Sequence, residues 1–208
     1  MPFAPLPFAC GAAAWSLAEY LLHRFVGHGP RRTPPEGLAR FVSPAAFAAE
    51  FNREHIAHHA DPTYFAPTSR KAAAAIAALG VFATAGSIFF GRRRARSFAL
   101  GFAATYGAYE VLHRRIHTHG PGGAYGRWLR KHHLYHHHGS PKQNHGVTSP
   151  LWDRVLDTET RSPRVRVPRR MAPAWLLDPE GAVRPELRDD YEIVDRASAV
   201  VEPASASD

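Results

Sequence analysis

Ala72-Ala-Ala-Ala-Ile-Ala-Ala-Leu-Gly-Val-Phe-Ala-Thr-Ala-Gly-Ser-Ile-Phe-Phe-Gly91 carries no charge, and it is bracketed by Arg70-Lys71 and by Arg92, Arg93 and Arg94. A helix crosses a bilayer with about 20 predominantly apolar residues, so this run predicts a membrane-spanning helix. A second uncharged run, Ser97 to Tyr109, follows at once and predicts a helical hairpin whose turn is Gly91-Arg-Arg-Arg-Ala-Arg96. Upstream, Pro2 to Ala18 is also uncharged, and the prolines at 2, 5 and 7 place the start of its helix near Phe8. The outer two runs are short and the central one is alanine-rich, which leaves a soluble bundle with buried hairpins as the alternative. The flanking arginines and abrupt polar edges favour the membrane, with Arg92–Arg96 as a headgroup anchor. The expected fold is all-α, an integral membrane helical bundle.

The hairpin puts every histidine at one end of that bundle. Four of the 26 Lys+Arg lie in the turn, which leaves 22 on the histidine side. The positive-inside rule then faces the histidines to the cytoplasm, and the alanine- and arginine-rich composition points to a bacterial inner membrane. The first ten residues lack the positive n-region of a cleavable signal peptide. A formal charge of +8 also suits nucleic acid, but no DNA- or RNA-binding motif accompanies it, so none is expected as a partner. The single cysteine, Cys10, excludes a disulfide framework and a cysteine-based zinc module.

Fourteen histidines fall before Gly146 in four groups. These are His23 and His28; His55, His58 and His59; His113, His117 and His119; and His132, His133, His136, His137 and His138, followed by His145. Positions i, i+3 and i+4 of a helix share a face. His55, His58 and His59 have that spacing, His133, His136 and His137 repeat it, and His113 and His117 form an i, i+4 pair. His23 and His28 are five apart, about 140° around a regular helix, and converge only if the helix ends near Gly27. About ten convergent imidazoles are too many for one ion and suit two with open positions. Imidazole serves zinc, iron, copper and nickel alike, so the donor set alone does not name the metal.

The order H-x4-H at His23, H-x2-H-H at His55, H-x3-H at His113 and H-x2-H-H at His133, arranged around a hydrophobic hairpin, resembles the fatty acid hydroxylase/sterol desaturase superfamily. Glu19-Tyr-Leu-Leu-His-Arg-Phe25 and Lys131-His-His-Leu-Tyr-His-His137 through Gly146-Val-Thr-Ser-Pro-Leu-Trp-Asp153 look most like its fatty acid 2-hydroxylase branch. The resemblance covers roughly residues 15 to 158. It implies a cytosolic histidine-rich cap with two iron ions, which zinc can replace in a purified sample. It also implies O2 as co-substrate, a lipid substrate from the bilayer, and electrons from a separate cytochrome b5-like or ferredoxin-like protein. The expected ligands are His23, His28, His55, His58, His59, His113, His117, His133, His136 and His137, with His119, His132, His138 and His145 as extra candidates. The expected reaction is hydroxylation of a fatty acyl chain; carotenoid or sterol hydroxylation or desaturation is the alternative within the superfamily. A non-catalytic membrane metal-binding protein is the alternative outside it.

Ligating imidazoles usually donate their second nitrogen to a carboxylate or carbonyl. Glu19 lies four residues before His23, Glu110 three before His113, and Asp61 two after His59; Glu19 and Glu110 are the expected partners. Ser149-Pro150 reads as a helix start, with Trp152 and Asp153 structural. From Thr160 the prolines, arginines, acids and Ser/Ala end predict a polar, partly disordered tail that supplies no ligand. The domain division is therefore 1–159 and 160–208.

Overall fold

The computed structural model describes residues 3–195. The first helix, α1 (Pro5–Leu21), begins earlier than Phe8, because proline is tolerated in a first turn whose N–H groups have no intrahelical acceptor. One π turn, Leu22–Gly27, continues it. A short helix α2 (Ala39–Val42) precedes α3 (Pro44–Ala60), which Ser43 caps through its Oγ on the Ala46 amide at 3.1 Å.

The hairpin consists of α4 (Thr68–Phe90) and α5 (Arg92–Thr118). Its turn is tighter than expected: Gly91 alone, at φ 79°, reverses the chain, and the arginines already form the first turn of α5. Arg93 donates back to the Phe3 carbonyl at 2.7 Å. Against α5 lies α1, and the two backbones nearly touch. A Cβ at Gly11 would stand 2.0 Å from the Phe98 carbonyl oxygen, and one at Gly101 would stand 2.0 Å from that of Phe8. Trp15 then meets Phe102 and Tyr106 edge-on.

In contrast, α4 packs on α5 through Phe82 and has no buried residue. Ile76, Val81, Ile88 and Phe89 face outward. Among the described residues this 23-residue helix is the one long and apolar enough to cross a membrane. The other two runs sit in helices that do not meet that test, α1 being 17 residues long and α5 turning polar after Tyr109.

Two further helices, α6 (Gly123–His138) and α7 (Leu151–Val155), complete the helical part. The expectation of an all-helical chain is corrected beyond them. Strand β1 (Val165–Pro168) pairs in parallel with β2 (Tyr191–Val194), Val165 opposite Tyr191. The tail expected to be polar and partly disordered from Thr160 is, over residues 160–195, a packed layer. Val165, Val167, Trp175, Leu176, Leu187 and Tyr191 bury themselves against Leu134 of α6. Trp175 also donates its indole N–H to the Ile116 carbonyl at 2.9 Å. Apolar side chains scattered among arginines made this layer look polar on average. Residues 196–208 of the expected tail lie outside the described residues.

Candidate metal centre

The first pair of histidines owes its convergence to the π turn. An i→i+5 bond from the His28 amide to the His23 carbonyl, 3.1 Å, adds a residue to the turn and brings positions five apart onto one side. The remaining eight come from the last turns of α3, α5 and α6. Together they form two groups of five, His23, His28, His55, His59 and His136, and His58, His113, His117, His133 and His137. Each H-x-x-H-H box straddles both groups. In α3 the i, i+4 pair His55/His59 serves the first and His58 the second; in α6, His133/His137 serve the second and His136 the first. The rings of His59 and His137 stack at 4.0 Å where the groups meet.

The donor sets fit metal ions. In the first group, Nε2 of His28 lies 2.8 Å from that of His136 and 2.9 Å from that of His55, and His136 lies 3.2 Å from His59. In the second, Nε2 of His133 is 3.0 Å from those of His117 and His137. Two nitrogens at right angles around an ion with metal–nitrogen bonds near 2.05 Å are about 2.9 Å apart. Nε2 of His23, His58 and His113 is buried with no protein partner. Burial, reinforced by neighbouring imidazoles, pushes His55, His59, His136 and His137 well below their usual range. Burial likewise lowers His28 and His58 to about 4. At neutral pH these rings are uncharged and present lone pairs, as metal binding requires.

Backbone carbonyls, not the expected carboxylates, orient three of the rings. Nδ1–H of His23 donates to the His145 carbonyl, that of His58 to Tyr64 at 2.8 Å, and that of His136 to Gln143 at 2.7 Å. Glu19 touches no histidine by hydrogen bond. Its buried carboxylate accepts from the Val147 and Thr148 amides at 2.6 and 3.0 Å, and from Thr148 Oγ1 at 2.9 Å, because the 145–148 segment folds back over α1. Glu110 pairs instead with Lys71 across the hairpin at 2.6 Å, and Asp61 binds Thr63. The four extra histidines lie outside both groups. His119 is exposed beside Thr118, and His138 sits half-buried next to His137. His132 reaches Asp153 at 3.3 Å, and His145 contributes its carbonyl. Nothing in the sequence marked the Tyr64, Gln143 or His145 carbonyls as acceptors for the ring N–H groups, since a backbone carbonyl has no side-chain signature.

Residues 8–158 match the family model described as fatty acid hydroxylase. The chain belongs to the fatty acid hydroxylase family. Among its relatives, the ceramide very long chain fatty acid hydroxylase scs7 of Schizosaccharomyces pombe is 28% identical over 158 residues, 73% of this chain and 42% of that one. The dihydroceramide fatty acyl 2-hydroxylase FAH1 of Arabidopsis thaliana is 30% identical over 161 residues, 74% of this chain and 61% of that one. The solved structure of full-length scs7p, in which only the hydroxylase domain is visible, superposes with a TM-score of 0.56 at 25% identity, covering 75% of this chain and 56% of that one. The chain thus spans about two fifths to three fifths of the length of these relatives.

In this member of the fatty acid hydroxylase family both histidine groups border one partly open cavity of about 310 Å³ between α1, α3, α4 and α5. His23 and His55 of the first group and His58 and His113 of the second contribute to its wall. Most of the rest is apolar: Trp15, Phe51 and Phe65, Ala78 on α4, and Phe102 and Tyr109 on α5. Charged groups line it too, among them the Lys71–Glu110 pair and Arg70, which bonds Glu50 at 3.0 Å. An alkyl chain fits such a space, whereas a strongly solvated substrate would lose its hydration there.

Proposed function

We propose that this chain is an oxygen-dependent lipid hydroxylase of the membrane, acting on a fatty acyl chain at two iron ions. The observation that carries this reading is the apolar cavity bordered by both groups of neutral imidazoles. His23, His28, His55, His59 and His136 would hold one ion, and His58, His113, His117, His133 and His137 the other. Zinc is expected to occupy the same sites in purified samples. Bound iron would supply activation of O2 and delivery of one oxygen atom to an unactivated C–H bond. The protein's own part is positioning. Trp15, Phe51, Phe65 and Phe102 would grip the chain and exclude water, and the carbonyls of Tyr64, Gln143 and His145 keep three ligands in one tautomer. The two relatives named above are both hydroxylases of fatty acyl groups by name, which favours an alcohol product over an alkene.

The exposed apolar flank of α4 supports a membrane location, with α4 crossing the bilayer and the histidine end facing the cytoplasm of a bacterial inner membrane. Electrons would come from a separate protein of cytochrome b5-like or ferredoxin-like type. The test is metal content per chain after detergent purification, followed by incubation of lipid extracts with 18O2 and a reductant. Near two equivalents in the wild type, falling sharply in His58→Ala/His136→Ala, together with an 18O-labelled hydroxyl lipid, is the expected result. A wild type with one equivalent or less, unchanged by the substitutions, would overturn the reading.

A further inference from the structure

Asp153 is completely buried and belongs to neither histidine group. Its Oδ1 accepts from the His145 amide at 2.8 Å and from Thr158 Oγ1 at 2.7 Å. Its Oδ2 accepts from the Gly146 amide at 2.8 Å and lies 3.3 Å from His132 Nε2. Burial alone would raise this carboxyl, but those hydrogen bonds outweigh it and hold the group well below the usual carboxylate range. A residue that merely started α7 would accept from that helix's own first amides. Here the amides come from upstream, and the Leu151 amide turns to Ser149 Oγ instead, at 3.2 Å.

What those amides hold in turn is the first histidine group. The four consecutive amides of residues 145–148 rest on two buried carboxylates, the first two on Asp153 and the last two on Glu19. The His145 carbonyl in this fixed segment accepts from Nδ1 of His23, leaving His23 Nε2 buried and without a protein partner. Thr158, held by Asp153, also bonds the Tyr20 hydroxyl at 2.9 Å, three residues before His23. Two paths therefore run from one carboxylate to His23, whereas its contact with His132, the neighbour of His133, bonds no ring of the second group.

We propose that Asp153 is the positioning residue of the first histidine group, its carboxylate fixing the 145–148 segment so that the His145 carbonyl holds His23 in the tautomer that presents Nε2. This rests on the metal-centre reading above. Asp153→Asn keeps the volume but turns an NH2 group toward amide donors, so the segment loses one of its anchors. The experiment measures zinc per chain in the full-length protein under increasing chelator, for wild type, Asp153→Asn and Leu187→Ala. Leu187 lies in the C-terminal apolar cluster, so its truncation lowers stability without touching the site.

The expected result is selective: Asp153→Asn releases one of two equivalents at about 10- to 100-fold lower chelator, as outer hydrogen bonds to ligands typically cost. The ion it retains should persist when His136→Ala is added and vanish when His58→Ala is added. Leu187→Ala should keep both ions despite a lower melting temperature. Thr158→Val, which removes one donor to Asp153, should weaken the same ion less, and it carries the test if Asp153→Asn does not fold. Wild-type retention of both ions in Asp153→Asn, or parallel loss of both that tracks melting temperature in Leu187→Ala as well, would overturn the proposal. A wild type that never binds two equivalents would instead overturn the metal-centre reading itself.

Discussion

The two histidine groups contain the same number of imidazoles but are built differently. The second is made entirely by regular helices: His58 on α3, His113 and His117 on α5, His133 and His137 on α6. Of its five rings only His58 gives its second nitrogen to a carbonyl, while Nδ1 of His117, His133 and His137 has no partner. The first group needs irregular backbone. A π turn supplies His23 and His28, and the loop after α6 supplies carbonyls to His23 and His136. Helix packing and one loop carbonyl, that of Tyr64, place one site; the other depends on a π turn and two loop carbonyls. A dinuclear centre built this way should have one ion set by the rigidity of the bundle and one set by loop geometry.

The largest effects should come from histidines that one box sends to different groups, as α6 does with His133 and His136. His136→Ala and His133→Ala are expected to remove different ions, each lowering activity beyond the roughly 10- to 100-fold typical of losing an outer hydrogen bond. Loss of both ions from either variant, read by metal analysis, would mean that the groups are not separable. Next comes Gly27→Ala, whose new methyl would lie 2.7 Å from the His55 ring. It should empty the first group and spare the second, and equal binding by variant and wild type would show that the π turn adapts.

Acid tests the two groups together, since His28 and His58 belong one to each. In the metal-free fold both titrate near 4 rather than at the ordinary 6.5. A depressed folded pKa means that the unfolded chain binds more protons between those values, so stability is full above about 6.5 and falls as the pH drops toward 4. Melting temperatures of chelator-treated protein should decline across that window, and a flat profile would refute neutral burial of these rings. The smallest effect is expected for Phe65→Ala. Phe65 packs against His58, His113 and His117, and its loss should cost about 1–3 kcal/mol and loosen only the second ion. Weakening of the first ion instead would reverse the assignment of packing to the second group.

The same division explains what the sequence made legible. Helical spacing pointed to eight of the ten histidines now brought together, because i, i+3 and i+4 relations survive wherever the backbone is regular. It did not show that His58 and His59 part company, since positions 100° apart on a helix share a broad face yet diverge at its edge. The convergence of His23 with His28 was tied to a helix end near Gly27, whereas a wider turn achieves it. Glu19 and Glu110 were read from short spacing, but their partners are Thr148 and Lys71, far along the chain and set by tertiary packing. The C-terminal layer was hidden for a related reason: Val165, Trp175, Leu187 and Tyr191 follow no single period and are diluted by arginines.

The bond from His23 to the His145 carbonyl joins residues 122 apart, and the one from Tyr20 to Thr158 joins residues 138 apart. During synthesis, therefore, the second group has all its ligands once His137 has emerged, whereas the first waits for Asp153 and Thr158. If the two groups hold ions as proposed, the order in which the ribosome delivers the chain lets the second seat form before the first is braced.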